Sequence, residues 1–325
     1  MKIGLIGLGS MGKRRLRLLQ EIDPALEIIG IDAREDRRKE TEELFGIETA
    51  DDAERAILSH GIEAVVISTS PASHGKIAGM ALRSGCHVFT ELNLVKDGYE
   101  ENMALAKEKG LVLFLSSTML YRKEIGQIGA ELAKATHPVN YIYHVGQYLP
   151  TWHKHEDYRD FFVADKRTNG CRELFSVELP WLIEVFGPIT EAYVMKGTMT
   201  DLEVDYPDHY EVSLKHESGT VGTLHINVAS IKAVRNLEVY GQDCYLRWGG
   251  APDSLTVYDA ETNTESSVDL YENAQRINKQ NSTIVEDAYR EELVEFLGAI
   301  QGDRVPRYSY EQDLAVLELI DKIEE

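Results

Sequence analysis

Six residues near the start of the chain, Gly7-Leu8-Gly9-Ser10-Met11-Gly12, restrict its fold more than any other stretch. They follow an alternating apolar run containing Ile3 and Leu5 and open a helical pattern. Asp32 ends the next apolar run, 20 positions past Gly12. Glycine turns of this kind match by accident in many chains, but strand, turn, helix and acid at this spacing together describe a dinucleotide-binding βαβ unit. Gly7 permits the tight turn, Gly9 lets the backbone approach a pyrophosphate, and Gly12 lets helix and strand pack closely. The unpaired N–H groups around Ser10, Met11 and Gly12 and the helix dipole then favour the phosphates. Asp32 accepts from the adenosine ribose hydroxyls and repels a 2′-phosphate, which favours NAD over NADP, while Arg34 beside it weakens that preference.

The pattern around this unit extends it into a domain. Strand-like runs at Lys2–Ile6, Glu27–Ile31, Ala64–Ser68, His87–Thr90 and Leu111–Leu115 alternate with amphipathic stretches near Met11–Ile22, Glu35–Leu44, Asp52–Leu58, Ser73–Ser84 and Tyr99–Lys109. That alternation predicts an α/β fold with a doubly wound parallel sheet over residues 1–120. From Tyr121 the texture changes. A helical pattern at Tyr121–Ala135 precedes a strand at Tyr141–Gln147, and a helix is predicted at Arg172–Phe186. Strands then recur at Ala192–Lys196, Tyr210–His216, Thr220–Ala229, Ala233–Tyr240 and Cys244–Trp248, punctuated by glycines. Residues 121–325 are therefore expected to form an α+β domain with a mostly antiparallel open sheet, the final helices being free to return toward the first domain. Leu293, Phe296, Leu297 and Ile300 mark one of those helices.

At 325 residues two cores are the natural expectation. The formal charge of −21 argues against nucleic-acid and anionic-membrane partners. Three well-separated cysteines (Cys86, Cys171, Cys244) fit a reducing compartment and have no metal-ligand spacing. No apolar run is long enough to span a bilayer, and the start at Ile3 lacks the form of a leader, so a cytoplasmic location is expected.

Beyond the glycine loop, further segments fall in a telling order. They are Ser68-Thr69-Ser70-Pro71 with His74, then Thr90-Glu91-Leu92-Asn93, then Tyr121-Arg122, and finally Glu295-Phe296-Leu297-Gly298-Ala299-Ile300 up to Asp313. Over nearly its whole length the chain resembles the Gfo/Idh/MocA family of sugar oxidoreductases. The resemblance implies hydride transfer between a sugar or polyol carbon and the nicotinamide. It places Ser68, Thr69, Pro71, His74, Glu91, Leu92 and Asn93 on the cofactor side, and it implies a homo-dimer or homo-tetramer built through the C-terminal sheet. Two departures stand out. The family's Glu-Lys-Pro reads Glu91, Leu92, Asn93 here, so its proton-handling lysine is a leucine. The family's Asp and His four residues apart fall on Glu173 and Val177, and a one-residue shift gives Glu178 rather than a histidine.

Another group must then handle the proton. General acid–base work needs a titratable side chain within hydrogen-bond reach of the reacting oxygen. The segment Tyr148, Trp152, His153, His155, Glu156, Asp157, Tyr158, Arg159 is dense in such groups, and histidine titrates in the right range. His153 and His155 lead, with Tyr121 and Glu173 as further catalytic candidates. The competing readings are ordinary surface histidines and a Tyr121 that packs beside an ion-paired Arg122. A metal on His153-x-His155 lacks a second ligand pair, so no metal is expected. Arg122, Tyr148, Trp152, Arg159, Arg167 and Arg172 are candidates for substrate binding. Arginine forks suit phosphate or carboxylate, pointing to a phosphorylated, acidic or nucleotide-linked sugar, unless these arginines are spent on ion pairs. Two readings follow: an NAD-dependent oxidoreductase with a non-standard proton relay, or a non-catalytic sensor of NAD and sugar.

Overall fold

The computed structural model describes residues 1–152, 157–271 and 285–325, and these divide into two compact units. The first comprises Met1–Thr118 and Asp287–Leu317. Its strands and helices run β1 (Lys2–Ile6), α1 (Ser10–Ile22), β2 (Glu27–Ile31), α2 (Glu35–Phe45), β3 (Glu48–Ala50), α3 (Ala53–His60), β4 (Ala64–Ile67), α4 (Pro71–Arg83), β5 (His87–Thr90), α5 (Tyr99–Lys109) and β6 (Leu113–Leu115). The six strands form one parallel sheet in the order β3-β2-β1-β4-β5-β6. This is the doubly wound arrangement whose order reverses between β1 and β4, where dinucleotides bind at the carboxyl ends of the strands. Continuous apolar strands such as Ala64-Val65-Val66-Ile67 are buried along their whole length, as a sheet covered on both faces requires.

The second unit comprises Met119–Glu286 and Glu318–Glu325. A 3-10 turn at Thr118–Tyr121 leads to α6 (Lys123–Leu132), β7 (Asn140–Gly146) and, after further 3-10 turns, α7 (Gly170–Phe186). The remaining strands are β8 (Ile189–Gly197), β9 (His209–His216), β10 (Val221–Asn227), β11 (Val234–Tyr240), β12 (Tyr245–Trp248), β13 (Leu255–Asp259) and β14 (Thr264–Ser267). They make an eight-stranded sheet, β14-β13-β12-β11-β7-β10-β9-β8, in which only β7 and β10 run parallel. Strict alternation in β9, with Tyr210, Val212 and Leu214 buried and Glu211, Ser213 and Lys215 exposed, turns one face to the core and leaves the other open. Helix α7 covers the inner face along β9 and β10. Asn169 caps its start by accepting from the Arg172 N–H at 2.7 Å. Two helices close the chain, α8 (Glu286–Gln301) and α9 (Tyr310–Glu324).

The structure refines the sequence reading in three places. The pattern at Tyr121–Ala135 is a 3-10 turn followed by the shorter α6, because Arg122 adopts extended backbone at the helix start. The short β3 and the exposed β14 carry too few buried apolar residues for alternation to reveal them. The strand β13 likewise buries only Leu255 fully. Among the described residues no helix is long and apolar enough to cross a membrane.

A buried polar cluster holds α7 to the second sheet. Glu178 is fully buried and accepts from Arg235 Nε at 3.0 Å and Nη2 at 2.6 Å, from the Tyr143 hydroxyl at 2.6 Å and from Trp181 Nε1 at 2.7 Å. Removing one partner of such a pair strands a buried charge, at a cost of about 3–5 kcal/mol. Arg235→Met is expected to lose that much in urea unfolding, and adding Glu178→Leu should restore most of it. A loss under about 1 kcal/mol would mean the pair behaves like a surface ion pair.

Candidate functional site

The turn after β1 is built around two glycines that admit no side chain. Gly7 has φ +97°, and a Cβ there would lie 2.6 Å from the Ser68 carbonyl oxygen. A Cβ on Gly12 would lie 1.9 Å from the Gly7 carbonyl oxygen. Helix α1 can start this close to β1 only with glycine at both places. Its first turn has no side-chain cap and no acidic residue, so its N–H groups remain available to an anion. Around Gly9 a Cβ would meet only the Arg37 guanidinium, at 3.6 Å. Ser10 is exposed and Met11 half-buried at the same helix start. The residues present thus fit a dinucleotide pyrophosphate.

Asp32 stands at the end of β2. Its carboxylate accepts from the Leu8 N–H at 2.8 Å and the Arg34 N–H at 2.9 Å, which fixes it beside the glycine turn. The cation next to it is Arg37, whose Nη1 lies 3.7 Å from Asp32 Oδ2. The Arg34 side chain, expected in that role, pairs instead with Asp36 on the exposed start of α2. Sequence alone offered no reason to choose Arg37 from the run Arg34 to Arg38. Helical geometry places it, three residues along the first turn of α2, back over the glycine loop.

Ser68, Thr69 and Ser70 form the wall opposite, with Pro71 opening α4. The Thr69 methyl would be 3.0 Å from a Cβ on Gly7. Three residues expected to line the cofactor do something else. His74 and Asn93 are each 2% exposed, too deep to touch a ligand, and their Nδ1 and Oδ1 lie 2.8 Å apart. Burial holds the His74 ring below its usual range. Glu91 is claimed by Arg15, which donates from Nε at 2.6 Å and Nη2 at 3.0 Å. Leu92 between them is half-buried.

Arg15 carries no signal of its own in the local run Lys13-Arg14-Arg15. It is fully buried. Besides Glu91 it reaches Glu292 at 2.7 Å, Ser116 Oγ at 3.2 Å and the Tyr289 carbonyl at 2.8 Å, and it lies 4.7 Å over the Phe89 ring. Glu292 also accepts from Ser116 at 2.8 Å and Thr118 at 3.1 Å, and burial raises its pKa. One guanidinium therefore ties α1 and the end of β5 to α8.

In the second unit the predicted cation cluster is dispersed into ion pairs. Buried Arg122 pairs with Glu124, donates to the Gly250 carbonyl at 3.0 Å and lies 5.1 Å over Trp248. Exposed Arg159 pairs with Asp157 at 2.5 Å and Glu203 at 2.8 Å. Arg172 is bound by Asp321 at 2.7 Å and by Glu324. Arg167 is exposed on the 3-10 turn Lys166–Thr168. Trp152 spends its Nε1 proton on the Gln147 carbonyl at 3.0 Å, while Tyr148 and Tyr121 are half-buried. His153 and His155 lie outside the described residues. Among the described residues no group of three or more His, Cys, Asp and Glu could hold a metal.

Glu173, half-buried, differs from the buried acids Glu178 and Glu292. It lies in the first turn of α7, its Oε2 is sealed from solvent with no hydrogen-bond partner, and burial alone raises its pKa to about 7. The Ser176 hydroxyl, one turn along the same helix, is also sealed and without a partner. Val177 follows, half-buried.

Comparison with known proteins agrees with this geometry. Residues 1–117 match the family described as the oxidoreductase family with an NAD-binding Rossmann fold. Over 117 residues the chain is 32% identical to myo-inositol 2-dehydrogenase of Thermotoga maritima, a match spanning 35% of each protein. An oxidoreductase from Agrobacterium radiobacter in complex with NAD+, L-tartaric acid and magnesium has a TM-score of 0.81 at 14% identity, over 99% of this chain and 94% of that one. UDP-N-acetylglucosamine 3-dehydrogenase from Acidithiobacillus ferrooxidans has a TM-score of 0.76 at 18% identity, over 100% of this chain and 96% of that one. At these identities the two structures share the fold. Residues 1–117, whose glycine turn and Asp32 are built as described, thus match the NAD-binding Rossmann domain of the Gfo/Idh/MocA oxidoreductases.

Proposed function

We propose that this chain is an NAD-dependent oxidoreductase acting on a sugar or sugar derivative, with Glu173 as the proton-handling group. The observation that carries the proposal is the half-buried Glu173, whose Oε2 is sealed without a hydrogen-bond partner and whose carboxyl is raised to about 7. A structural acid in this molecule finds donors, as Glu178 and Glu292 do. One held without them, at a pKa matched to neutral pH, is arranged for proton transfer.

The backbone of Gly7, Gly9, Ser10, Met11 and Gly12 would hold the pyrophosphate, and Asp32 the adenosine ribose. Bound NAD supplies a hydride acceptor. In the oxidising direction the substrate C–H leaves as hydride while the Glu173 carboxylate takes the hydroxyl proton, leaving a carbonyl. Tyr121, His153 and His155 remain the alternative relay. The engaged arginines lend no support to an anionic substrate. That finer reading now rests on the acidic and nucleotide-linked ligands named for the two structural neighbours. Assembly through the second sheet is supported by its open face, where Ile142, Tyr193, Met195, Val221 and Tyr240 are exposed. We propose a homo-dimer or homo-tetramer built on it.

The deciding assay offers NAD with polyols, sugars, sugar phosphates and nucleotide sugars and follows NADH formation. Glu173→Gln should keep NAD binding and lose about 100-fold or more in kcat. The wild-type oxidation rate should rise as pH rises through about 7 and the variant should lose that rise. Stability gives an independent check. The raised carboxyl favours the folded state at low pH, and that contribution is lost as pH climbs from the ordinary carboxylate range through about 7. Wild type should therefore lose stability across that window relative to Glu173→Gln. A variant as active as wild type would move the chemistry to Tyr121, His153 or His155. Tight NAD binding without turnover on any substrate would favour the sensor reading.

Gly12→Ala tests the cofactor site itself. Its Cβ cannot coexist with the Gly7 carbonyl, and NAD binding measured calorimetrically should weaken by roughly 100-fold, about 2.8 kcal/mol. Unchanged affinity would place the cofactor elsewhere.

A further inference from the structure

Resting on the reading of the glycine turn as the NAD site, we infer that Asn93 and His74 are positioning residues for that site, acting through the Thr69 carbonyl without touching the cofactor. His74 stands in the first turn of α4. Its Nε2 lies 3.0 Å from the Thr69 carbonyl oxygen, which can only accept, so the ring donates there. In the neutral ring Nδ1 is then the acceptor, so the Asn93 side-chain amide 2.8 Å away presents its NH2 to it. Thr69 is thereby pinned on its backbone by His74, while its hydroxyl is 2.7 Å from that of Ser73. This residue, with the Ser68 carbonyl, walls the Gly7 turn at 3.0 and 2.6 Å from where a Cβ would stand.

Asn93 anchors the chain from behind. Its side chain also hydrogen-bonds the Tyr99 and Tyr310 hydroxyls. Tyr310 is 2.7 Å from the Thr90 hydroxyl, and Tyr99 donates to buried Asp313 at 2.5 Å. Tyr308 donates to the same carboxylate at 3.0 Å. Five elements, α4, α5, α9 and the ends of β4 and β5, thus meet through one amide. A proline at position 93 could make none of these bonds, so the Glu-Leu-Asn segment is a clamp: Glu91 is fastened by Arg15, Asn93 by His74 and the tyrosines. A displacement of Thr69 by a few tenths of an ångström would alter the cradle against which the cofactor packs, since preorganised walls set affinity.

The test measures NAD affinity by calorimetry and stability by thermal melting on the full chain, for Asn93→Ala, His74→Asn and His74→Gln. A glutamine amide reaches as far as Nε2 and can still donate to Thr69, whereas the shorter asparagine cannot. The expectation is a dissociation constant raised about tenfold or more in Asn93→Ala and His74→Asn, and within about threefold of wild type in His74→Gln. Unchanged affinity in Asn93→Ala with a lowered melting temperature would overturn the proposal and leave these residues as packing alone. Equal loss in the two His74 variants would overturn it as well, and that comparison stands even where Asn93→Ala fails to fold. If wild type itself does not bind NAD, the fault lies with the cofactor reading on which this one rests.

Discussion

One close backbone approach governs the first unit: the start of α1 lies against the carbonyl of Gly7 with no room for a single carbon at Gly12. That contact lets a helix N-terminus stand directly over the end of a parallel strand, the arrangement in which uncapped N–H groups can receive an anion. It also fixes the direction of α1, and so decides where Arg15 points. Because α1 cannot shift without opening the turn, the guanidinium is delivered into the sheet end between Glu91 and Glu292. The glycine turn and the buried arginine are one construction, seen at its two ends.

Buried charge organises both units, by different logic. Around Arg15 two carboxylates share one cation, and Ser116, Thr118 and a backbone carbonyl complete the bonding. Around Glu178 one carboxylate collects a bidentate arginine, a phenol and an indole. Low interior dielectric makes each satisfied cluster rigid and each unsatisfied member costly. Against that background Glu173 is anomalous, because its buried Oε2 has no hydrogen-bond partner.

Much of the fold was legible because periodicity reports burial. Ala64-Val65-Val66-Ile67 announces a strand covered on both faces, and Tyr210, Val212 and Leu214 announce one covered on a single face. Asp32 was legible from spacing, since a βαβ unit sets the distance from glycine turn to second-strand end. What escaped was whatever depends on distant pairing. Arg15 and Glu292 are 277 residues apart, and no local pattern distinguishes a buried arginine from its half-buried neighbours Lys13 and Arg14. The pocket arginines failed for the converse reason. Arg122, Arg159 and Arg172 gather in sequence, but each finds a carboxylate of its own in the fold. His74 and Asn93 were placed near the right loop and on the wrong side of its backbone.

The raised pKa of Glu173 has a single physical cause. Its Oε2 receives no hydrogen bond, and desolvation shifts the group with no cation opposing it. A carboxylate beside a cation would instead be held ionised at neutral pH, with its pKa depressed. An acid near half-ionisation at neutral pH can accept a proton and return it, which is the physical ground on which a lone carboxyl can serve both directions of a proton transfer.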